Sequence, residues 1–315
     1  MENKQPLLSI CIPTYNRADV LKQCLESIVV GGYYDGEVEV IVSDNCSSDN
    51  TFEVVNEYVL KYQYIYYYRN DTNIGGDRNI LKSLELSTGV FLKITNDYSI
   101  FTEGAISKLL QTIKENEDKK PVIYFNQREN LEYCLFNTLD DVVVREKWAM
   151  SWIGSYGYWK EDFDSWTNRD ARISTMFQQV DWFVRSYRRS RIILYVCFPL
   201  TTRKETRSKQ GGYDFIKVHT TNFFIQFREL VLSGDLKKDS FIKLKKHVLV
   251  CMLAWIKKLK VDNGKTYRYE YNNPYSQLFF EYKRYLWFYV ILIKFELKYY
   301  TKTILAKIGL YPMKF

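Results

Sequence analysis

Four short polar segments each follow an apolar run: Pro13-Thr14-Tyr15-Asn16, Ser43-Asp44-Asn45, Gly75-Gly76-Asp77-Arg78 and Thr95-Asn96-Asp97. Asp44 and Asp97 supply carboxylates, Arg78 a guanidinium and Thr14 a hydroxyl, while Gly75 and Gly76 leave room for close approach to the backbone. These groups meet only if the apolar runs are neighbouring strands. In a parallel sheet a ligand binds beyond the carboxyl ends of the strands, so the chemistry predicted here is recognition of a polar ligand at one sheet edge. Pro13 is expected to end the first strand by removing a ladder donor. Taken alone, the Pro-Thr-Tyr-Asn stretch is also a plain strand-to-helix turn capped by Thr14 or Asn16.

The intervening pattern fits that arrangement. Leu7 to Ile12, Val38 to Asp44, Tyr64 to Tyr68, Val90 to Ile94 and Val122 to Asn126 are short, β-branched or aromatic, and bounded by polar turns, as strands are. Val20, Leu21, Cys24, Leu25 and Ile28 share a helical face. So do Phe52, Val55 and Val59 behind the Ser47 to Asp49 capping stretch, and Ile80, Leu81 and Leu84 before Gly89, which is expected to stop that helix. Ala105 to Ile113 gives another helix. This alternation predicts an α/β fold with a mostly parallel sheet. It fades after about residue 130, where aromatic-rich loops, helical segments near Thr175 to Tyr187 and Thr220 to Leu232, and a basic helical C-terminal region follow.

Composition narrows the function classes. The formal net charge is +8, with Lys and Arg crowded from Tyr187 to Lys217 and from Lys237 onward. Such a balance favours nucleic acid, a phosphorylated small molecule or an anionic membrane face. Aromatic residues make up 17%, but most are interleaved with apolar residues as core, and no nucleic-acid-binding module is recognisable. Nucleic acid is therefore not expected as a partner, although an RNA-binding protein is the alternative class. None of the six Cys forms a C-x-x-C pair, which argues against zinc and a disulfide framework and for a reducing compartment. No G-x-G-x-x-G follows the first strand, which disfavours a nicotinamide-type enzyme. The N-terminal apolar stretch is broken too soon by Pro13 for a secretory signal, and Leu286 to Ile293 is far shorter than the roughly 20 apolar residues of a membrane span.

The segments SICIPTYNRADVLKQCLESI, EVIVSDNCSSDNT, NIGGDRNILKSLELSTG and ITNDYSIFTEGAISKLL, in that order and spacing, resemble the nucleotide-binding half of family 2 glycosyltransferases, which have the GT-A fold. WIGSYGYWK, FQQVDWFVRSY and GGYDFIKVH are similar to the abequosyltransferase-like bacterial enzymes that build O-antigen or capsule. The resemblance implies a GT-A domain over residues 1–225, divided into a nucleotide-sugar-binding half (1–115) and an acceptor half (116–225), with a helical extension over 226–315. It implies transfer of a sugar from a nucleotide-diphosphate donor, UDP-sugar first, to a saccharide or lipid-linked acceptor. A cytoplasmic enzyme, peripheral on the inner face of the membrane, is expected; a catalytically degenerate scaffold is the alternative.

Residue by residue, the resemblance places the donor against Pro13, Thr14, Tyr15, Asn16, Asp44, Asn45, Gly76, Arg78, Asn96 and Asp97. Asp97 matches the last carboxylate of a D-x-D-type motif and would hold Mn or Mg on the diphosphate, although this chain has Asn96-Asp97-Tyr98 where relatives have two or three acids. Asp181 matches the base that deprotonates the acceptor in inverting enzymes, with Asp162 and Asp164 behind it; as a helix N-terminal acid it is also explained by the dipole. Trp152, Tyr156, Tyr158 and Trp159 around Gly154 and Gly157 would stack on the acceptor, or form a core loop. His219 and His247 suggest no metal site. The Tyr-, Trp- and Lys-rich tail from Tyr282 to Gly309 is compatible with an amphipathic helix on an anionic membrane, or with a packed helical cap.

Overall fold

A computed structural model describes residues 5–30, 36–126, 132–203, 210–270 and 273–307. The first four residues and Ile308-Gly309, which belong to segments read above, lie outside them. In chain order the elements are β1 (Leu8–Thr14), α1 (Ala18–Val30), β2 (Val38–Asp44), α2 (Thr51–Val59), β3 (Ile65–Arg69), α3 (Gly76–Glu85), β4 (Phe91–Ile94), β5 (Ser99–Phe101), α4 (Ala105–Lys114), β6 (Val122–Asn126), β7 (Glu132–Phe136) and α5 (Leu139–Glu146). Then come β8 (Gly157–Trp159), α6 (Lys160–Ser165), α7 (Gln178–Ser190), β9 (Ile193–Cys197), β10 (Thr201–Arg203), β11 (Gln210–Asp214), α8 (Phe215–Lys217), α9 (Phe223–Ser233), α10 (Lys238–Asp262), β12 (Tyr267–Glu270), α11 (Pro274–Tyr282) and α12 (Leu286–Lys307).

The chain divides into two units: Met1–Thr138 with Trp152–Ser208, and Leu139–Ser151 with Lys209–Phe315. The expected break at residue 225 thus falls earlier. The second unit also takes in α5, which packs on α10. That unit is helical, apart from the parallel pair β11–β12. At its centre Glu281 is 4% exposed and paired with both Lys245 and Arg228.

The first unit holds a sheet of order β3-β2-β1-β4-β8. Its first four strands are parallel, and β8 is an antiparallel edge. Val122 to Asn126 does not join it. As β6 it forms a second sheet with β9 and β7. Period-two patterning explains the packing. Leu8, Ile10 and Ile12 of β1, with Val38, Val40 and Val42 of β2, form one core with Leu21, Leu25 and Ile28 of α1. The strand does not stop at Pro13 but continues to Thr14, paired with β2 alone, because its ladder with β4 ends at Cys11↔Ile94. A missing donor is tolerated where the strand has one neighbour.

Gly89 does not stop α3, which ends at Glu85. It is a close-approach position. A Cβ there would lie 2.5 Å from Ser9 Oγ and 2.9 Å from the Ser9 backbone nitrogen. The same turn feeds buried Glu39, which accepts from Ser9 Oγ at 2.6 Å, Thr88 N at 2.6 Å and Gly89 N at 3.0 Å. Gly89→Ala is expected to cost roughly 2–4 kcal/mol, read as a lowered urea midpoint with an unchanged slope.

Lys93 is 1% exposed, and its Nζ donates to the carbonyls of Ile94 and Gly154 at 2.7 Å each. Burial lowers its pKa from 10.5 to about 7. Between those two values the unfolded chain binds more protons than the folded one, so this group makes stability rise with pH across that window and adds no slope well below it. Tm is therefore expected to gain from pH 7 to pH 9 in the wild type by an amount that Lys93→Met removes.

Candidate active site

The carboxyl edge of the parallel sheet is cross-braced by side chains. β1 and β2 end level at Thr14↔Asp44, and β2 and β3 at Asp44↔Arg69. β4 stops earlier, so the chain after it brings Asp97 back over β1. Thr14 Oγ1 donates to Asp97 Oδ2 at 3.0 Å, and Arg17 Nη1 donates to Asp97 Oδ1 at 3.1 Å. Asp44 accepts from Ser47 N at 3.0 Å and from Ser47 Oγ on one oxygen, and from the Tyr67 hydroxyl at 2.6 Å on the other. That bond, after burial, raises the Tyr67 pKa.

Asn79 is the hub. Its Oδ1 accepts from Ser43 Oγ at 2.8 Å and Asn70 Nδ2 at 2.9 Å, while its Nδ2 donates to the Ser43 carbonyl at 2.8 Å and the Thr14 carbonyl at 3.4 Å. Asn45 reaches the next loop: its Nδ2 donates to Asn73 Oδ1 at 2.8 Å, and its Oδ1 accepts from Ile74 N at 2.9 Å. Gly75, at φ 88°, then turns the chain into α3. Asn16, at φ 51°, turns it into α1 and accepts from Ser48 N at 2.7 Å.

The structure therefore brings Pro13, Thr14, Tyr15, Asn16, Asp44, Asn45, Asn96 and Asp97 to one edge. Thr14, Asp44, Asn45 and Asp97 are buried in the brace, and Tyr15 is exposed. Gly76 and Arg78 are also exposed, at the start of α3. Arg78 lines an open groove of about 510 Å³ with Lys82, Trp166 and Arg169; neither Asp44 nor Asp97 lines it.

Asp97 is a poor fit for a divalent cation, because it is a single carboxylate that Arg17 already neutralises. A hard cation takes several oxygen ligands. Asp97 is 3% exposed, and each of its oxygens already accepts a hydrogen bond. Burial raises its pKa, opposed by Arg17 and Thr14. Beside it, Asn96 Nδ2 is a buried donor without an acceptor. Among the described residues no group of three His, Cys, Asp or Glu converges on a metal-sized site. The surroundings are donors, which suit an anion.

The expected acceptor aromatics are largely core. Tyr156, Tyr158 and Trp159 are at most 1% exposed. Tyr158 donates to the Gln179 carbonyl at 2.9 Å and Trp159 Nε1 to the Pro121 carbonyl at 2.8 Å, while Tyr156 packs edge-on against Tyr124. They cannot stack on a sugar, because β8 inserts them against the sheets. Gly154 and Gly157 likewise serve packing: an added Cβ would lie 2.7 Å from the Trp152 ring and 2.5 Å from the Phe91 ring, respectively. Only Trp152 is half-buried.

Asp181 stands in the first turn of α7 and accepts from Arg185 Nε at 2.8 Å. Arg185 in turn donates to the carbonyl of Thr167 at 2.7 Å. Asp162 is buried against Arg189, and Asp164 pairs with Lys160 and Arg169. His219 is half-buried, packed on Phe215 and Trp148, and desolvation there lowers its pKa to about 3, so it is a neutral packing residue.

Sequence reasoning gave no role to Arg17, Asn79 or Asp77. Arg17 and Asn79 directly follow Asn16 and Arg78, so adjacency to a singled-out residue was the available signal. Asp77 opens α3; burial raises its pKa, and Gln178 Nε2 donates to its backbone carbonyl at 3.3 Å, tying α3 to the start of α7.

Residues 9–150, somewhat under half of the chain, match the family described as Glycosyl transferase family 2. Abequosyltransferase RfbV of Salmonella typhimurium is 35% identical over 112 residues, covering 35% of this chain and 33% of that protein. GalNAc(5)-diNAcBac-PP-undecaprenol beta-1,3-glucosyltransferase of Campylobacter jejuni is 33% identical over 111 residues, 35% of each chain. This chain thus spans about a third of the length of the relatives it matches. Among solved structures, S. aureus TarS superposes with a TM-score of 0.52 at 16% identity, covering 80% of this chain and 43% of that one. The fold is that of the GT-A glycosyltransferases.

Asn79→Ala would strand Ser43 Oγ, leave Asn70 Nδ2 with Asn45 Oδ1 alone and unlink three strand ends. A loss of roughly 2–4 kcal/mol in urea unfolding is expected, and Asn79→Asp is expected to recover part of it by keeping the acceptor.

Proposed function

We propose that the protein transfers a sugar from a nucleotide-diphosphate donor to a saccharide acceptor in bacterial surface-glycan synthesis. The observation that carries this reading is the cross-braced carboxyl edge, which lies within the family 2 segment. The exposed Tyr15 ring offers a face for the nucleotide base, and buried Thr14, Asp44 and Asn45 fix the loops that surround it. Gly76 and Arg78 open α3 towards the donor sugar. In inverting transfer the acceptor hydroxyl gives its proton to a carboxylate as its oxygen attacks the anomeric carbon. Asp181, oriented by Arg185, is the proposed base. Asp77 is the rival, because burial moves its pKa in the direction a base requires.

The name of the Campylobacter relative specifies a pyrophosphoryl-undecaprenol substrate. A lipid-linked acceptor is accordingly proposed here, with α12 resting on an anionic membrane. Along α12, Leu286, Val290, Ile293, Leu297 and Tyr300 are all exposed, and at 100° per residue they fall within an arc of about 80°. Exposed Lys294 and Lys298 border that stripe. No helix among the described residues is long and apolar enough to cross a membrane.

Release of nucleoside diphosphate from a panel of UDP-, GDP-, CDP- and TDP-sugars, with lipid-extract acceptor, tests the activity. One donor is expected to turn over, and Asp181→Asn to slow it by roughly 10²-fold or more with little change in donor KM. Turnover of none would contradict the reading, and a larger loss in Asp77→Asn would move the base. In vesicle flotation the wild type is expected to rise with anionic but not with neutral vesicles, and Ile293→Glu/Leu297→Glu to stay at the bottom. A wild type that also stays at the bottom would remove the membrane contact.

A further inference from the structure

Resting on the donor site read above, we propose that Arg17, with Asn96, holds and neutralises the donor diphosphate directly, without a divalent cation bridging it to Asp97. Three observations converge on this. Asp97 is buried, and its charge is already met inside the protein, by the Arg17 guanidinium on one oxygen and the Thr14 hydroxyl on the other, so little of it is left for a cation. Arg17 is fixed at one end only. Its Nη1 is bonded to Asp97 at 3.1 Å, its guanidinium lies 5.7 Å from the Tyr98 ring centroid, and its side chain keeps 29% exposure. Among the described residues Asp97 is the guanidinium's only hydrogen-bonded partner, which leaves most of its five donors for a ligand. Asn96 Nδ2, on the residue adjoining Asp97, is a buried donor with no acceptor. An unmet buried donor costs free energy that an incoming phosphate oxygen would recover.

A partly exposed guanidinium with unused donors, on a carboxylate that it already neutralises, makes an anion site. As the sugar leaves, the bond from the anomeric carbon to the diphosphate oxygen breaks and its electron pair stays on the diphosphate. The new bond forms from the acceptor oxygen, whose proton goes to the base. The growing negative charge is met by the N–H groups of Arg17, the strongest kind of hydrogen bond available to it. Asp97 acts through Arg17 as a positioning residue, and Thr14 positions Asp97.

Calorimetric binding of UDP, GDP, CDP and TDP and of the matching monophosphates, each in EDTA and in Mn, tests this on the full chain. One diphosphate is expected to bind with the same Kd in both buffers, within about twofold. Arg17→Ala is expected to weaken that diphosphate roughly tenfold to a hundredfold, with a smaller effect on the monophosphate, and Arg17→Lys to fall between. Arg17→Ala could unfold the site by leaving Asp97 unpaired. Arg17→Ala/Asp97→Asn removes both charges and is expected to fold and to show the same loss. Binding that appears only with Mn would overturn the arginine site and leave the donor reading standing. Binding of no nucleotide in either buffer would overturn both.

Discussion

Buried polar groups must find partners, and at the carboxyl edge of this sheet they find one another. Thr14, Ser43, Asp44, Asn45, Asn79 and Asp97 are all nearly inaccessible, and each meets its hydrogen-bonding needs through a group on a different segment. That requirement fixes the level at which β1, β2 and β4 end, the turn into α3 and the position of Arg17. The segments at this edge are thereby tied to one another, with the Tyr15 ring left exposed beside them. At the opposite edge Glu39 performs the same service for Ser9, Thr88 and Gly89, so the strands are pinned at both ends.

The division of labour within the brace decides what it recognises. Carboxylates at a sheet edge invite a cation, but these are spent internally: Asp44 on Ser47 and Tyr67, Asp97 on Thr14 and Arg17. What remains outward is a guanidinium and a tyrosine ring, with the unmet amide of Asn96 buried behind them. The turn after β4 thereby carries one acid, paired with an arginine of the chain's own.

The strands, the parallel order and the gathering of four polar segments at one edge were legible because period-two and helical patterns are local and strong in the first hundred residues. Identity within the brace was legible too, since Thr14, Asp44, Asn45 and Asp97 stand at strand ends. Direction was not. Whether Tyr156, Tyr158 and Trp159 point at a ligand or into the core depends on β8 joining β4 from a distant part of the chain, a contact no local pattern announces. The same applies to Val122 to Asn126, which reads as one more strand of the first sheet but pairs with β9 instead. Gly89 reads as a helix stop and is a close-approach residue, because its constraint comes from Ser9 on another strand. Arg17 was passed over because its partner lies far along the sequence.

The central claim is that a nucleoside diphosphate settles on the carboxyl edge of the first unit. Hydrogen–deuterium exchange in the presence and absence of UDP tests it most directly, because each amide reports its own position. Slowed exchange is predicted in peptides spanning Pro13 to Ala18, Asn45 to Ser48, Asn73 to Asn79 and Thr95 to Ser99, with α10, α11 and α12 unchanged. Protection confined to the second unit, or to the groove between Lys82 and Trp166 without the strand ends, would contradict it.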